Sequence, residues 1–281
     1  MSIRVVTDST SDLPADLVKE YGISVIPCFI NMGSESYLDG VELSREEFYR
    51  RLPDYDPPPT TSAPGIGTFV EKYRQLIAEG ASAIISVHVA GTLSNIVNVA
   101  RLASETITEI PVHVIDAQQI TLGAGFLVLD AAKSAIAGRT VDEILAALKE
   151  KAERIYTAAA LDTLEYLRRS GRLTRFQALL GTVMNIKPLL TLHNGVINME
   201  RVRTRKKSLE WLLQKLEDLH PLEQIVLLHT HATEEIESLW QHIHDRFSEL
   251  PRPWFVDVTT ALGTHLGPAG VGFTCVTMSE V

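Results

Sequence analysis

The sequence predicts an α/β protein of two domains. The first is an N-terminal doubly wound, mostly parallel sheet over residues 1–155, and the second a C-terminal α+β domain with a mixed or antiparallel sheet over 156–281. Three observations carry this. A chain of 281 residues is long for a single domain. Its first half alternates short β-branched runs with helix-length segments, the pattern of parallel βαβ units. Its second half holds Asn194-Gly195 between two apolar runs, a hairpin signal that a purely parallel sheet does not need.

The run 3–6 (IRVV) reads as a buried strand, and Ser11 or Asp12 can cap the helix that follows, with Pro14 in its first turn and Gly22 at its stop. Residues 24–30 (SVIPCFI) read as the next strand. Ser44 with Glu47 forms a capping box for a helix over 45–52. Pro57, Pro58 and Pro59 then lead into a rigid loop, Thr60-Thr61-Ser62-Ala63-Pro64. A helix over 67–78, a strand over 83–89, a helix over 93–107, a strand over 112–116 and a helix over 119–137 complete the alternation. Thr140 and Glu143 form a second capping box, whose helix joins the two domains. Beyond it come a strand over 157–161, helices over 163–169 and 175–184, the Asn194-Gly195 hairpin and a helix over 208–219. The strand IVLLHTHA, a helix over 234–247 and the strands WFVDVTT and GVGFTCVT close the chain.

Hydrophobic residues make up 45% of the chain and charged residues 22%, so a packed core needs no disulfide. The net charge of −9 argues against nucleic acid as a partner, and the basic run 201–207 is too short to change that. Cys28 and Cys275 lie in apolar runs without metal-ligand spacing and read as buried structural thiols. A reducing cytoplasm is the expected location, since MSIRVVTDST has no apolar signal core and no apolar run is long enough to span a membrane. The chain lacks GxxxxGK[ST], a GxGxxG after a strand, GxSxG and HExxH, so nucleotide-binding, hydrolase and zinc-protease readings have no support.

Small hydroxyls and glycines cluster where strands are expected to end. In parallel sheets ligands sit at the carboxyl ends of strands, so Asp8, Ser9, Ala90, Gly91 and Thr92 are site candidates, with Asp116 at a further strand end. Thr61 and Ser62 are candidates because the prolines before them fix the backbone that carries their hydroxyls. Gly263-Thr264-His265 adds a glycine-rich loop with one histidine, whose ring can donate to a carboxylate oxygen. None of these groups is a strong nucleophile alone, so the pattern points to a pocket that grips an acid group. His229 and His231 lie two apart in an expected strand, hence on one face, but no third metal ligand has suitable spacing; His242 and His244 diverge on a helix. No catalytic residue, metal or cofactor is expected.

In this order the segments resemble the DegV family of bacterial fatty-acid-binding proteins. The resemblance rests on VTDSTSDLP (6–14), YLDG (37–40), TSAP (61–64), AGT (90–92), VIDAQQITLGAGFLV (114–128), LDTLEYLRRSGRL (161–173), NIKPLL (185–190), RVRTRKKS (201–208) and GTHLGPAGVG (263–272). It implies a long-chain fatty acid such as palmitate in an apolar tunnel, its carboxylate held by hydroxyls near the domain interface. Thr61 and Ser62 match the hydroxyl loop, and His265 matches the histidine of the carboxylate site. Arg172 matches an exposed arginine that engages a fatty acid kinase, which phosphorylates the bound acid to an acyl phosphate for phospholipid synthesis. Two positions depart from the family pattern. Ala90 stands where members usually carry a serine, for which backbone N–H groups near Gly91 with Thr92, Ser94 or Asn95 are the expected substitutes, and Ala63 replaces an amide. The alternative reading is an enzyme of phosphoryl or acyl transfer using Asp8, His265 and the hydroxyl loops, including Thr264.

Overall fold

The computed structural model describes residues 2–172 and 186–279. The chain divides into two compact units: Met1–Phe29, Ser62–Ile155 and His193–Val196 form unit 1, and Ile30–Thr61, Tyr156–Leu192 and Ile197–Val281 form unit 2. Ile30–Thr61, which the sequence reading assigns to the first domain, clusters with the second half of the chain.

Unit 1 is built on β1 (Ile3–Asp8), α1 (Ala15–Glu20) and β2 (Ser24–Ile26), which lead into β3 (Phe29–Met32), β4 (Glu35–Leu38), α2 (Arg45–Arg51) and β5 (Thr60–Ser62). The alternation resumes with α3 (Ile66–Ala78), β6 (Ala83–His88), α4 (Ile96–Ser104), β7 (Val112–Asp116), α5 (Leu122–Ile136) and α6 (Val141–Ala152). The expected parallel sheet is present in the order β2-β1-β6-β7, with every neighbouring pair parallel. All six residues of β6 are buried, as expected of a strand covered on both faces. Phe69 and Tyr73 of α3 and Leu122 and Phe126 of α5 supply large buried side chains to this core. The Thr140–Glu143 capping box is formed in full.

The strand expected over 24–30 is two strands, not one. Pro27 has no N–H to continue a ladder; β2 stays beside β1, and β3 turns into a separate three-stranded sheet of order β4-β3-β5. The Thr60–Ser62 loop is thus a short edge strand of that sheet.

Unit 2 continues with β8 (Ile155–Ala160), α7 (Glu165–Arg169), β9 (Lys187–His193), β10 (Val196–Val202) and α8 (Arg205–Leu219). It closes with β11 (Leu222–His229), α9 (Thr233–Arg246), β12 (Phe255–Asp257), α10 (Thr260–Leu266) and β13 (Val271–Thr277). Its sheet has the order β10-β9-β8-β13-β11-β12. It is mixed, since β8–β9 and β11–β13 pair antiparallel and β11–β12 parallel. Asn194 and Gly195 make the predicted hairpin turn, both with positive φ (50° and 73°). Leu212 and Leu216 of α8 and Ile236 and Leu239 of α9 pack with Leu227 and Phe273 of the sheet into one core. The helix expected over 175–184 lies outside the described residues.

Two further expectations change. The segment 258–266 is not a strand end followed by a flexible glycine loop; Thr260–Leu266 is a helix, and His265 rides on it. Strand β11 ends at His229, and His231 has a left-handed φ of 51°, so the two histidines do not share a strand face. The backbone turns there because Thr230 exchanges hydrogen bonds with the 269–270 loop (Thr230 N to Gly270 O, 3.0 Å; Ala269 N to Thr230 O, 2.8 Å).

Candidate carboxylate-binding site

Within unit 2, Thr61 of β5 and His265 of α10 meet, with Thr61 Oγ1 3.0 Å from His265 Nε2. Burial holds the protonation of His265 down to about 4, and the positive charge of Arg172 adds to the depression. The imidazole is therefore neutral near pH 7 and carries one N–H. Its Nδ1 is buried without a hydrogen-bond partner. A neutral ring with its proton on Nε2 donates to Thr61 Oγ1, which leaves the threonine O–H to donate onward to an incoming acceptor. In that tautomer the chain ends in a donor, the polarity that a carboxylate oxygen needs.

Helix α10 is held in place by residues that sequence reasoning passed over. Asp39, directly after β4 and 2% exposed, accepts hydrogen bonds from the hydroxyls of Thr259 and Thr260 (2.6 Å from the latter). Tyr49 of α2 donates its hydroxyl to Val258 O at 3.0 Å and lies so close to Gly263 that an added Cβ would overlap the phenol. Gly267 ends the helix with φ +73°, and a Cβ there would overlap the Tyr166 ring. The glycines of GTHLGPAG thus let two tyrosines pack onto the helix. The YLDG segment was visible as a motif, but nothing in the spacing of Asp39 pointed to Thr259.

The other expected site residues are placed differently. Successive strand residues face opposite sides, so Ser62 points away from the face of Thr61; it is exposed. Thr264 is buried, and its hydroxyl donates to Thr260 O within the helix. In unit 1 the N–H of Ala90 donates to Gln119 O at 2.9 Å. The N–H of Gly91 faces both oxygens of Asp116, at 3.2 and 3.1 Å. The acceptor of the Gly91 N–H is thus the protein's own Asp116 carboxylate. Thr92 Oγ1 donates to Gly195 O at 2.8 Å, and Ser94 Oγ accepts from Ile96 N at 3.4 Å.

Asp8 is fully buried and anchors a polar chain through unit 1. One oxygen accepts from Thr10 N and Oγ1, the other from His88 Nδ1 (2.9 Å) and Val89 N (3.3 Å). His88 Nε2 lies 2.7 Å from Ser86 Oγ, which lies 2.9 Å from the hydroxyl of Tyr73. Burial by itself raises the Asp8 carboxyl, but the His88 hydrogen bond and charge, with Thr10 and Val89, bring it below the usual carboxylate range. Tyr73 is pushed up to about 12 by burial. The order Asp–His–Ser imitates a nucleophilic triad, yet Asp8, Ser86 and His88 all have no solvent exposure. Ser9 Oγ accepts the N–H of Cys28. These residues brace the sheet.

Arg172 is exposed in the turn after α7, where Nη1 donates to Ser170 O at 3.0 Å. On α7, Glu165 bonds both Arg168 and Arg169, which hold its carboxyl down to about 2. His229 Nδ1 accepts the N–H of Ala232, and His231 stacks on Tyr49. Among the described residues no cluster of three His, Cys, Asp or Glu has metal-binding geometry, and no helix is long and apolar enough to cross a membrane.

The family model described as "Uncharacterised protein, DegV family" matches residues 2–277. A DegV domain-containing protein of Caldanaerobacter subterraneus is 34% identical, over 96% of this chain and 97% of that protein. A solved DegV family protein from Thermus thermophilus, described by its fatty acid binding, is 32% identical and superposes with a TM-score of 0.89, covering 99% of this chain and 100% of that one. DegV of Bacillus subtilis, described as a fatty acid binding protein, is 30% identical with a TM-score of 0.87 and the same coverage. From the first strand to the last, the chain belongs to the DegV family.

Proposed function

We propose that this protein is a carrier that binds a long-chain fatty acid such as palmitate and presents its carboxylate, in the cytoplasm, to a fatty acid kinase for acyl phosphate formation and phospholipid synthesis. The observation that carries the reading is the Thr61–His265 pair, a hydroxyl and a neutral imidazole held at 3.0 Å, with an exposed arginine electrostatically coupled to the ring. The relatives described as fatty acid binding, at 30% identity or more over nearly the whole chain, support the ligand class.

The division of labour follows from magnitudes. Each buried methylene contributes about 0.8 kcal/mol, so a tail of about fifteen contributes on the order of 10 kcal/mol before ordering costs. A hydrogen bond to a charged group adds about 1.5–3 kcal/mol. The tail supplies affinity, and Thr61 with His265 supplies orientation and keeps the carboxylate paired. Arg172 is the contact offered to the kinase. An acid–base enzyme joining Asp8 to His265 is the weaker reading, because every Asp8 oxygen is bonded inside a fully buried chain.

Native mass spectrometry of the purified protein tests the proposal. A co-purifying fatty acid, or uptake of added palmitate at one per chain, is expected. A protein without lipid that also takes up no palmitate would overturn it. With the cognate kinase, Arg172→Ala is expected to cut acyl phosphate formation without changing palmitate affinity; unchanged formation removes Arg172 from the partner surface.

A further inference from the structure

Resting on the reading of Thr61 and His265 as the carboxylate site, we propose that Asp39 is the positioning residue of that site. Its carboxylate takes hydrogen bonds from Thr259 and Thr260, the residues that open α10, and so sets where His265 stands relative to Thr61. The topology makes this a clamp. Asp39 directly follows β4 and Thr61 lies in β5, the two outer strands of one three-stranded sheet with β3 between them. One side of that sheet therefore grips the start of the helix, and the other meets its sixth residue. Asp39, Thr259 and Thr260 are all at most 2% exposed, so solvent does not compete for these bonds. Tyr49 reinforces the same point by bonding Val258 O one residue upstream.

The experiment separates positioning from mere stability. His265 is titrated by NMR without ligand, and palmitate affinity is measured by calorimetry. The variants are Asp39→Ala, Asp39→Asn, Thr259→Val, Thr259→Ser and, as a destabilised control, Leu216→Ala in the core between α8 and the sheet. In Asp39→Ala and Thr259→Val the His265 midpoint is expected to rise from about 4 toward the ordinary value, with palmitate bound about tenfold more weakly. Thr259→Ser, which keeps the hydroxyl, is expected to restore both, and Asp39→Asn, which keeps one acceptor oxygen, to fall between. Leu216→Ala is expected to lower the melting temperature and move neither. If Asp39→Ala fails to fold, Asp39→Asn and the Thr259 pair give the same answer. A His265 midpoint unmoved by Asp39 and Thr259 variants, or moved equally by Leu216→Ala, overturns the proposal. A parent that binds no palmitate, with His265 still responding to Asp39, removes the ligand reading and leaves Asp39 in control of the imidazole.

Discussion

Thr61 Oγ1 and His265 Nε2 stand 3.0 Å apart although 204 positions separate them in sequence. Replacing Thr61 by valine keeps the shape and removes the hydroxyl. If the pair holds the ligand carboxylate as proposed, palmitate affinity falls about tenfold, and by about 10–100-fold in His265→Ala. Calorimetry measures both. Affinity unchanged in the two variants would place the carboxylate elsewhere.

Stability should depend on pH through the same histidine. In the fold His265 protonates near 4, whereas an unfolded imidazole protonates near 6.5. Between these values the unfolded chain binds more protons, so stability falls as pH drops through the window and is level above it. The full effect is about 3 kcal/mol at most. Urea unfolding of the parent and His265→Gln from pH 4 to 7 checks it, the variant losing part of the slope. Identical slopes would mean that the imidazole is not held neutral.

The Asp8–His88 pair should behave as a structural element. Both residues are fully buried, so removing one leaves the other without its partner. Asp8→Ala or His88→Ala is expected to cost about 3–5 kcal/mol in denaturant unfolding. The double variant should cost less than the sum, because the two act as a unit. Full additivity would mean that Asp8 and His88 do not act as a unit.

Gly91 has no room for a side chain. A Cβ there would sit 2.8 Å from Asp116 Oδ2 and 3.1 Å from Val97 Cγ1. Gly91→Ala is therefore expected to lose about 1–3 kcal/mol of stability. In an Asp116→Ala background the penalty should shrink, since one of the two obstructing groups is gone. An equal penalty in both backgrounds would mean that Val97 alone resists the methyl group.

Much of the local structure was legible in the residues. The βαβ alternation of unit 1, the Thr140–Glu143 capping box and the Asn194-Gly195 turn each depend on neighbours within a few positions, and each is present. Elsewhere a distant contact outweighs the local signal. Thr259 and Thr260 read as a strand end and the glycines from Gly263 as a loop, but Asp39 and Tyr49 hold that segment as a helix. Thr60–Ser62 is too short for a period-2 pattern and becomes a strand because β3 offers it a ladder. The Gly91 N–H bonds Asp116, a partner 25 positions away that no local pattern marks.

Hydrophobic period and segment spacing fixed the class of fold, and the motifs from VTDSTSDLP to GTHLGPAGVG carried the family resemblance. Hydrophobic period, caps and turns act over a few residues, so one dimension records them. Which hydroxyl meets the imidazole, and which donors bond to the protein's own acceptors, emerged from long-range packing. Those outcomes depend on how β3–β5 and α10 pack within unit 2, and pairings between residues hundreds of positions apart leave no period in the sequence.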